Sequence, residues 1–581
     1  MILESVKVII KDAFIKEYGF FPNNASFEHP VDEKWGDYAT NASMTAAKQI
    51  KQNPLDIAKR VCYRVNNEIA SNHKNNNEYT ILESLNFAKP GFININIKKE
   101  WLLNELRNVL LENKHYGSSE IGKGKLVIVE FSQPNTNKPM HIGHSRNNFL
   151  GSSISTILAF LSYDVIRSNY VGDIGIHICK SLLMYMKYGQ GKEPDKKPDH
   201  FVGDFYKLFE SELEKDPKLI EEAQNLLRRW EQKDESLHKI WQKMNSWVYE
   251  GWKKTYEEEN VQFDIWEYES KCQDIGKEIA EHAVRAGIAE KDATGAITAK
   301  LEKYALPDKV LLRSDGTSVY STKDLQLAKD SFEKYQFYKR LYIVDYRQAD
   351  YFKQIFKVLE ILGFEWANRL VHVSYGVVSL PSGMMSSRKG NVISADQVLE
   401  RLYAMEKGEM AERGSDTNSE TFKDVALAAF RYPLLKVDYK QNITFDFDLV
   451  TRFEGDTGPY LQYTHARACS LLKKASTSDL EVLGSFDFDS AKLEEAEERV
   501  VKFIYRFPEI VLSSGEDFAP NYICNYLYDL ASRFNSFYNK SPIISEKESI
   551  KRLQGLLITK AFAQVMRNGL NLLGISSPEK M

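Results

Sequence analysis

The chain has 581 residues, more than a single hydrophobic core usually supports, so three or more domains are expected. Its 43% hydrophobic and 27% charged residues are typical of a soluble globular protein, and no apolar run approaches the roughly 18 residues of a membrane helix. Charged residues interrupt the opening segment from Glu4 to Asp12, which argues against a signal peptide and predicts a cytoplasmic protein without membrane association.

The cysteines and the net charge limit the kinds of site that the chain can carry. The cysteines are odd in number and never form a Cys-x-x-Cys pair: Cys62, Cys179, Cys272, Cys469 and Cys524. This spacing argues against a disulfide framework and a structural zinc site, so we expect reduced, mostly buried thiols and no protein-bound metal. A net charge of −4 gives no overall attraction to nucleic acid, so any RNA contact must use locally basic surfaces.

Residues 1–120 read as a small α+β domain. Apolar residues recur at helical spacing near the start of the chain, and the segment Phe92–Ile97 alternates apolar and polar residues as a strand does. The glycine-containing segment Ile121–Lys125 ends this domain.

Residues 121–440 predict a Rossmann-type parallel sheet. A short apolar run at 126–129 precedes a polar loop, an apolar helical pattern from 150 to 161, and a second apolar run at 165–166. A strand, helix, strand unit of this kind crosses over to form parallel strands, whose ligands bind beyond their carboxyl ends. Strand patterns at 341–344 and 370–373, separated by a helical pattern at 352–362, predict that the sheet resumes later in the chain.

Two further regions read as helical. From about 190 to 305 the pattern is charged and helical and holds five of the eight tryptophans, which suggests a helical insertion with a small core of its own. Residues 441–581 are predicted to form an all-helical C-terminal domain. The predicted class is therefore α/β, with an α+β domain before the sheet and a helical domain after it.

The chemistry is concentrated in the loop after the first predicted strand, where residues 141–144 read His-Ile-Gly-His. A helix that begins here would present free N–H groups and a positive dipole end to phosphates. Gly143 allows a nucleotide to approach closely, and the imidazoles of His141 and His144 can donate hydrogen bonds to phosphoryl oxygens. The same tetrapeptide alone could also be a turn with two surface histidines.

With this motif the chain resembles class I aminoacyl-tRNA synthetases, whose second mark is a KMSKS-type loop. Here that loop reads Met-Met-Ser-Ser-Arg-Lys-Gly at 384–390, so both lysines of the pattern are replaced. The resemblance implies catalytic roles for Ser386, Arg388 and Lys389, with Lys389 also binding ATP. It further implies that Lys138, just before the histidine motif, compensates for the missing lysine, as in the arginine-specific branch.

Several segments are similar to arginyl-tRNA synthetases in particular: residues 36–41, 89–94, 454–463, 465–467 and 572–581. This resemblance implies an enzyme that activates L-arginine with ATP, accompanied by Mg²⁺, to arginyl-adenylate. It then transfers arginine to the 3′ end of tRNA(Arg), releasing AMP and pyrophosphate, with no obligatory protein partner. One departure lies at 169–177, where the Trp-Gly-Thr-Gln that usually follows the aspartate is absent.

An arginine pocket needs anionic acceptors for the guanidinium and polar groups for the amino acid end. Tyr320 and Asp324 are four residues apart in a predicted helix and so share one face. The resemblance assigns Asp324 and Glu130 to the guanidinium, Asn135 and Gln348 to the α-amino end, and Tyr320 to the pocket wall. Taken alone, Tyr320 and Asp324 could be an ordinary exposed helix pair.

The remaining predicted contacts concern adenine and tRNA. Gly376 and Val378, just past a predicted strand, fit a backbone platform for adenine, although a structural turn explains the glycine equally. By resemblance, the anticodon loop would be contacted by Tyr460, Arg467, Tyr538 and Met581, and the tRNA elbow by Phe92 and Asn94. Aromatic side chains suit stacking on splayed bases, but each could instead be core packing.

Two other functions remain open from the sequence. The first is a class I synthetase for another amino acid, such as cysteine or glutamate, which the missing zinc-type clusters and the acidic pocket candidates oppose. The second is a non-catalytic paralogue that binds tRNA or serves as a scaffold.

Overall fold

The computed structural model describes residues 2–71, 79–272, 276–314, 319–383, 392–412, 421–483 and 492–581. The N-terminal region is an α+β unit, as predicted. Its elements are α1 (Ile2–Tyr18), β1 (Phe27–Glu28), β2 (Tyr38–Thr40), α2 (Ala42–Ile50), α3 (Pro54–Ser71), β3 (Leu82–Ala88), β4 (Phe92–Ile97) and α4 (Lys99–Glu112). The strands form an antiparallel sheet in the order β1-β2-β4-β3.

A five-stranded parallel sheet forms the centre of the molecule, which confirms the Rossmann-type prediction. The elements up to its third strand are β5 (Leu126–Glu130), α5 (Ile142–Phe160), β6 (Asp164–Val171), α6 (Ile176–Met184), α7 (Pro198–Leu213), α8 (Leu219–Glu231), α9 (Glu235–Glu258) and β7 (Ile265–Tyr268). Next come α10 (Lys277–Arg285), β8 (Ala289–Lys291), β9 (Ile297–Ala299), β10 (Lys309–Leu312), α11 (Tyr320–Tyr335), β11 (Lys339–Asp345), α12 (Ala349–Ile361), β12 (Leu370–Tyr375) and β13 (Val378–Ser379).

The sheet order is β12-β11-β5-β6-β7, with every neighbouring pair parallel. The chain builds outward in one direction from β5 through β6 to β7 and then returns to the other side of β5 with β11. The strand order therefore reverses between β5 and β11, and ligands of such sheets bind at the carboxyl ends on either side of this point.

Side chains of the central strands alternate between two apolar cores, as the period of a strand requires. Val127 and Val129 face one core, which also contains the N-terminal unit, helices α6–α9 and the C-terminal helices. Ile128 and Tyr342 face the other core, built with α10, α11 and α12. Helix α5 and the C-terminal helices thus share one continuous core.

The stretch 190–305 differs from its prediction in two respects. Strand β7 lies inside it and completes the parallel sheet at the β6 edge, and β8–β10 form a small antiparallel sheet. The expectation of a separate core is wrong, because all five of its tryptophans pack in the same apolar cluster as α5 and the C-terminal helices. Helices α7 and α9 need this shared core because their apolar stripes face the rest of the molecule.

The C-terminal part is helical, as predicted, apart from one short strand that pairs with β13. Its elements are α13 (Ala395–Glu412), α14 (Thr421–Leu435), β14 (Ile443–Thr444), α15 (Phe447–Val450), α16 (Gly458–Lys474), α17 (Thr477–Val482), α18 (Glu495–Ile504), α19 (Phe507–Glu516), α20 (Asn521–Lys540) and α21 (Ser549–Leu572). Among the described helices, none combines the length and apolarity needed to cross a bilayer. All five cysteines are buried and unpaired, which confirms the prediction of core thiols.

Candidate active site

The histidine motif caps the helix that follows β5. His141 is the N-cap residue of α5, and its Nδ1 accepts a hydrogen bond from the backbone N–H of Gly143 at 3.1 Å. The backbone N–H of His141 in turn donates to Nδ1 of His144 at 3.1 Å, and the two rings lie 3.9 Å apart. Because each Nδ1 is an acceptor, the ring proton of each neutral imidazole is on Nε2. Both Nε2–H groups are therefore donors, as the phosphate-binding prediction requires.

Both histidines are held in the neutral form. Burial, followed by the charge of Lys138, lowers the pKa of His141 to about 4. Burial and the neighbouring His141 lower the pKa of His144 well below its usual value. The pair therefore presents two neutral N–H donors at neutral pH, and any positive charge of this site must come from other residues.

Lys138 lies in the same loop and supplies such a charge. Its backbone carbonyl accepts a hydrogen bond from Nε1 of Trp252 on α9 at 3.4 Å, and Gly203 of α7 packs against Pro139 beside it. Burial lowers the pKa of the Lys138 ammonium. Among the described residues this lysine forms no ion pair, so its charge is available to a ligand.

The segment just after the KMSKS-type loop also meets the histidine motif. His141 and Ser394 form a β-bridge, and the backbone N–H of Ala395 donates to the carbonyl of Met140 at 3.0 Å. The predicted loop residues Ser386, Arg388 and Lys389 lie outside the described residues, so their roles stay predictions.

All five residues predicted to bind arginine line one cavity of about 470 Å³ at the carboxyl end of the sheet. Glu130 ends β5, Tyr320 and Asp324 begin α11, and Gln348 precedes α12. Asn135 approaches from the loop after β5 and forms a bridge with Gly172, where any side chain would collide with the Asn135 amide. The predicted set is thus brought together at the point where the strand order reverses.

The three acidic residues of this cavity differ in their partners. Glu130 is buried and accepts hydrogen bonds from Arg340 at 2.5 Å and from Gln133 at 2.8 Å. Glu269, which the sequence analysis did not identify, pairs with Lys323 at 3.1 Å. The cavity charges of Glu130 and Glu269 are therefore already offset by cations of the protein.

Asp324 has no such cation. Its carboxylate accepts a hydrogen bond from the hydroxyl of Tyr351, and no Lys or Arg of the described ranges forms an ion pair with it. Burial is the main cause that raises its pKa to about 7, and the charges of Glu130 and Glu269 act in the same direction. An uncompensated carboxylate at the floor of a cavity is the strongest acceptor here for an incoming guanidinium.

The segment 169–177 departs from the family pattern, and its aspartate, Asp173, does not line the cavity. The Asp173 carboxylate accepts hydrogen bonds from the backbone N–H and the hydroxyl of Ser270, at 2.8 and 2.6 Å. Gly172, by contrast, allows Asn135 to reach its place. This segment thus contributes Tyr170 and Gly172 to the lining of the cavity, whereas its aspartate is bound by Ser270.

The predicted adenine platform lies where the chain enters the short strand β13, which pairs with β14. Gly376 donates its N–H to the carbonyl of Tyr439 at 2.8 Å, and Val378 is 5% exposed in β13. A side chain at Gly376 would collide with the carbonyl of Gln441, 2.3 Å from the Cβ position. The glycine is thus required by close backbone packing, and contact with adenine stays a prediction.

Three of the four predicted anticodon residues line one groove of the helical domain. Arg467, Tyr538 and Met581 border a cavity of about 630 Å³ between α16, α20 and the chain end. Tyr460 lies two turns earlier on α16, where its hydroxyl accepts a hydrogen bond from Asn535 at 2.9 Å. Asn535 also accepts from Arg467 at 2.7 Å, so one amide links both predicted residues.

The two residues predicted to contact the tRNA elbow are partly or fully buried. Phe92 begins β4 and is half-buried, whereas Asn94 is 5% exposed in the middle of the sheet. Contact of either residue with tRNA stays a prediction.

Besides Glu269, sequence reasoning missed Tyr351, Arg347 and Arg340. Tyr351 touches the cavity through Asp324, and its only sequence signal is its helical spacing from Gln348. Arg347 pairs with Asp345 at 2.7 Å, and its charge contributes to lowering the pKa of His141. Arg340 lies in strand β11, and the sequence alone would predict that it is an exposed residue on the polar face of that strand.

A parallel sheet whose strand order reverses at an acidic cavity, together with a His-Ile-Gly-His helix cap after strand β5, is typical of class I aminoacyl-tRNA synthetases. Comparison with known families agrees. Residues 105–447 match the family "tRNA synthetases class I (R), catalytic domain", residues 461–581 match "DALR anticodon binding domain", and residues 2–97 match "Arginyl tRNA synthetase N terminal domain".

Relatives and solved structures identify the family within this class. Arginine–tRNA ligase of Porphyromonas gingivalis is 38% identical over 519 residues, covering 84% of this chain and 86% of the relative. That of Treponema denticola is 36% identical over 579 residues, covering 96% and 95%. The solved arginyl-tRNA synthetase of Thermus thermophilus superimposes with a TM-score of 0.81 over both full chains at 25% identity. The chain belongs to the arginyl-tRNA synthetases and is an enzyme of the aminoacyl-tRNA ligase class.

Proposed function

We propose that this enzyme binds the guanidinium of L-arginine on Asp324 and ligates arginine to tRNA(Arg) by way of arginyl-adenylate. The observation that carries this proposal is the carboxylate of Asp324, which forms no ion pair among the described residues and lines the same cavity as the other four predicted arginine-binding residues. Glu130, whose charge is offset by Arg340, shapes the cavity and orients Gln133. Tyr320 lines its exposed side, and Asn135 and Gln348 are placed to receive the α-amino end.

Arginine binding is coupled to the ionisation of Asp324. With a pKa of about 7, part of the empty enzyme carries this group as the neutral acid near pH 7. The substrate guanidinium favours the carboxylate and expels the proton, because an opposite charge at contact distance stabilises the ionised form. An acidic substrate would instead meet the carboxyl group of Asp324, which no protein cation offsets, and this is why we prefer arginine to glutamate.

In the first step, an oxygen of the arginine carboxylate attacks the α-phosphorus of ATP, and pyrophosphate leaves. The Nε2–H groups of His141 and His144 donate to phosphoryl oxygens, and as neutral rings in fixed positions they need no reorganisation as charge develops. Lys138 supplies the positive charge that the histidines lack. Gly143 keeps the first turn of α5 open to the nucleotide.

In the second step, a ribose hydroxyl at the 3′ end of tRNA attacks the carbonyl carbon of the adenylate, and AMP leaves.

We assign residues 1–120 to binding of the tRNA elbow, 121–440 to catalysis and 441–581 to binding of the anticodon. The groove lined by Arg467, Tyr538 and Met581 supports the last assignment, since it combines a guanidinium with an exposed aromatic ring.

Mg²⁺ is proposed to arrive with ATP, bound to its phosphates. Among the described residues, one cluster has ligands close enough to hold a metal ion, formed by Asp199, His200 and Asp396. The ammonium of Lys197 already lies 2.5 Å from Asp396, so a divalent ion does not fit there. We place the protein in the cytoplasm, the compartment of tRNA charging.

An ATP–pyrophosphate exchange assay with each of the twenty amino acids, with and without tRNA(Arg), tests the proposal. We expect exchange with arginine alone and, as the family resemblance implies, only when tRNA is present. Exchange with cysteine or glutamate would assign another specificity. No exchange with any amino acid, together with retained tRNA binding, would favour the non-catalytic paralogue.

A further inference from the structure

Arg146 is a fully buried cation that forms no ion pair in the part of the chain that the structure describes. It lies on α5, five residues after His141, and its side chain is 0% exposed. Its guanidinium donates to three backbone carbonyls, those of Gly376 at 2.5 Å, Tyr439 at 3.2 Å and Val377 at 3.5 Å. Burial lowers its pKa to about 10, which leaves it charged at neutral pH.

This arrangement is costly, so it calls for a reason. A buried guanidinium normally pairs with a carboxylate, as Arg340 does with Glu130. Arg146 instead holds its charge on carbonyl dipoles and leaves its Nε without a hydrogen-bond partner among the described residues. An apolar side chain would fill the same space without that desolvation penalty.

The carbonyls that Arg146 binds belong to two chain segments that pack against each other. Gly376 donates to the Tyr439 carbonyl, Val377 accepts from Ile443 at 2.9 Å, and β13 pairs with β14. Arg146 reaches both segments with one planar group. The predicted adenine platform is thereby tied to the first turns of α5, which begins with the two phosphate-binding histidines.

The neighbouring Asn147 joins the same helix to the sheet. Its amide donates to the carbonyl of Ile343 at 2.8 Å and to the hydroxyl of Tyr375 at 3.1 Å, and its oxygen accepts from Ser132. Asn147 therefore connects α5 to strands β11 and β12, whereas Arg146 connects α5 to the segment 376–378.

We infer that Arg146 is a positioning residue for ATP, setting the distance between the adenine platform at 376–378 and the phosphate-binding Nε2 groups of His141 and His144. The inference rests on the proposed ATP site. ATP must contact both the adenine platform and the histidines, so a shift of the platform should lower the affinity for the whole nucleotide. The proposed arginine cavity is lined by residues of α11 and α12 and by none of residues 376–378, so the affinity for arginine should not change.

The test compares Arg146→Lys with Arg431→Lys. Arg431 on α14 is also 0% exposed, also has its pKa lowered to about 10 by burial, and also donates to a carbonyl, that of Glu259 at 3.1 Å. It packs on Phe149 and against Gly574, and its hydrogen bond goes to Glu259 rather than to residues 376–378. The pair thus separates loss of a buried guanidinium in general from loss of this one.

Calorimetric Kd values for ATP, adenosine and L-arginine, and the Tm, would be measured for each variant. For Arg146→Lys, we expect the Kd of ATP and of adenosine to rise about tenfold or more, the scale of a lost charged hydrogen bond, while the Kd of arginine stays within twofold. Arg431→Lys should lower Tm comparably and leave the ATP Kd unchanged. Arg146→Gln, which lacks the charge but keeps an amide donor, should raise the Kd of ATP at least as much as Arg146→Lys does.

Equal ATP affinity in Arg146→Lys and the parent, or equal weakening of ATP and arginine, would overturn the inference. His144→Asn separates this failure from failure of the proposed site. If His144→Asn weakens ATP while Arg146→Lys does not, only the positioning role is wrong. If neither affects ATP, the nucleotide site itself is misplaced and the inference falls with it.

Discussion

Replacing Asp324 by asparagine should have opposite effects on arginine binding and on the stability of the empty enzyme. Asparagine keeps the oxygen that accepts the hydrogen bond from Tyr351 but cannot become an anion. The arginine guanidinium then loses its charge partner at the floor of the cavity. Removing one member of a desolvated charged pair costs about 2–5 kcal/mol, so kcat/KM for arginine should fall roughly thirtyfold or more.

The stability effect follows from the raised pKa. A carboxyl group with a pKa of 3.8 when unfolded and about 7 in the folded protein destabilises the fold above pH 4, increasingly up to pH 7. At 1.36 kcal/mol for each pKa unit, the cost at pH 8 is at most about 4 kcal/mol, less what water in the cavity screens. Asp324→Asn removes this cost, so Tm without arginine should rise at pH 8 and change little at pH 4.

Steady-state aminoacylation at varied arginine and thermal unfolding at both pH values measure the two effects. Asp350→Asn is the matched control, because Asp350 is an exposed carboxylate on α12 whose side chain is 80% exposed. The control should alter neither quantity. An arginine kcat/KM for Asp324→Asn within twofold of the parent would refute the reasoning, as would a lower Tm at pH 8.

Three other outcomes are expected. The kcat/KM for arginine should decrease up to tenfold per pH unit below about pH 7, as Asp324 becomes protonated, and Asp324→Asn should abolish this dependence; a flat parent profile would contradict it. Lys138→Ala should lower kcat on the order of 10²-fold, more than it raises the ATP KM; a salt-dependent rise in tRNA KM alone would instead indicate a phosphate contact. Tyr538→Ala should raise the tRNA KM about fivefold or more, the scale of one lost stacking contact. Tyr522, at 37% exposure, is as exposed as Tyr538, at 36%, so Tyr522→Ala is the control and should leave the tRNA KM unchanged. Equal effects of the two substitutions would contradict the anticodon role of Tyr538.

Much of the fold could be predicted from local patterns. The apolar run at 126–129 became β5, the run at 370–373 became β12, and the alternation at 92–97 became β4 with the same bounds. These patterns are reliable because a strand or helix must place an apolar face toward a core at its own period. The stretch 190–305 was predicted less well. Strand β7 is four residues long and half-buried, so its sequence carries little periodic signal.

The sequence also predicted five of the residues that line the cavity, although not Glu269 or Tyr351, and it predicted the position of the helix cap. It could not determine their charge states. Glu130 and Asp324 read alike as acidic candidates, yet Arg340, 210 residues from Glu130, neutralises one and leaves the other alone. Nor could it show that Arg146 binds carbonyls 230 and 293 residues away. Local periodicity is written in neighbouring residues, whereas the pairing of buried charges depends on which distant segments the folded sheet brings into contact.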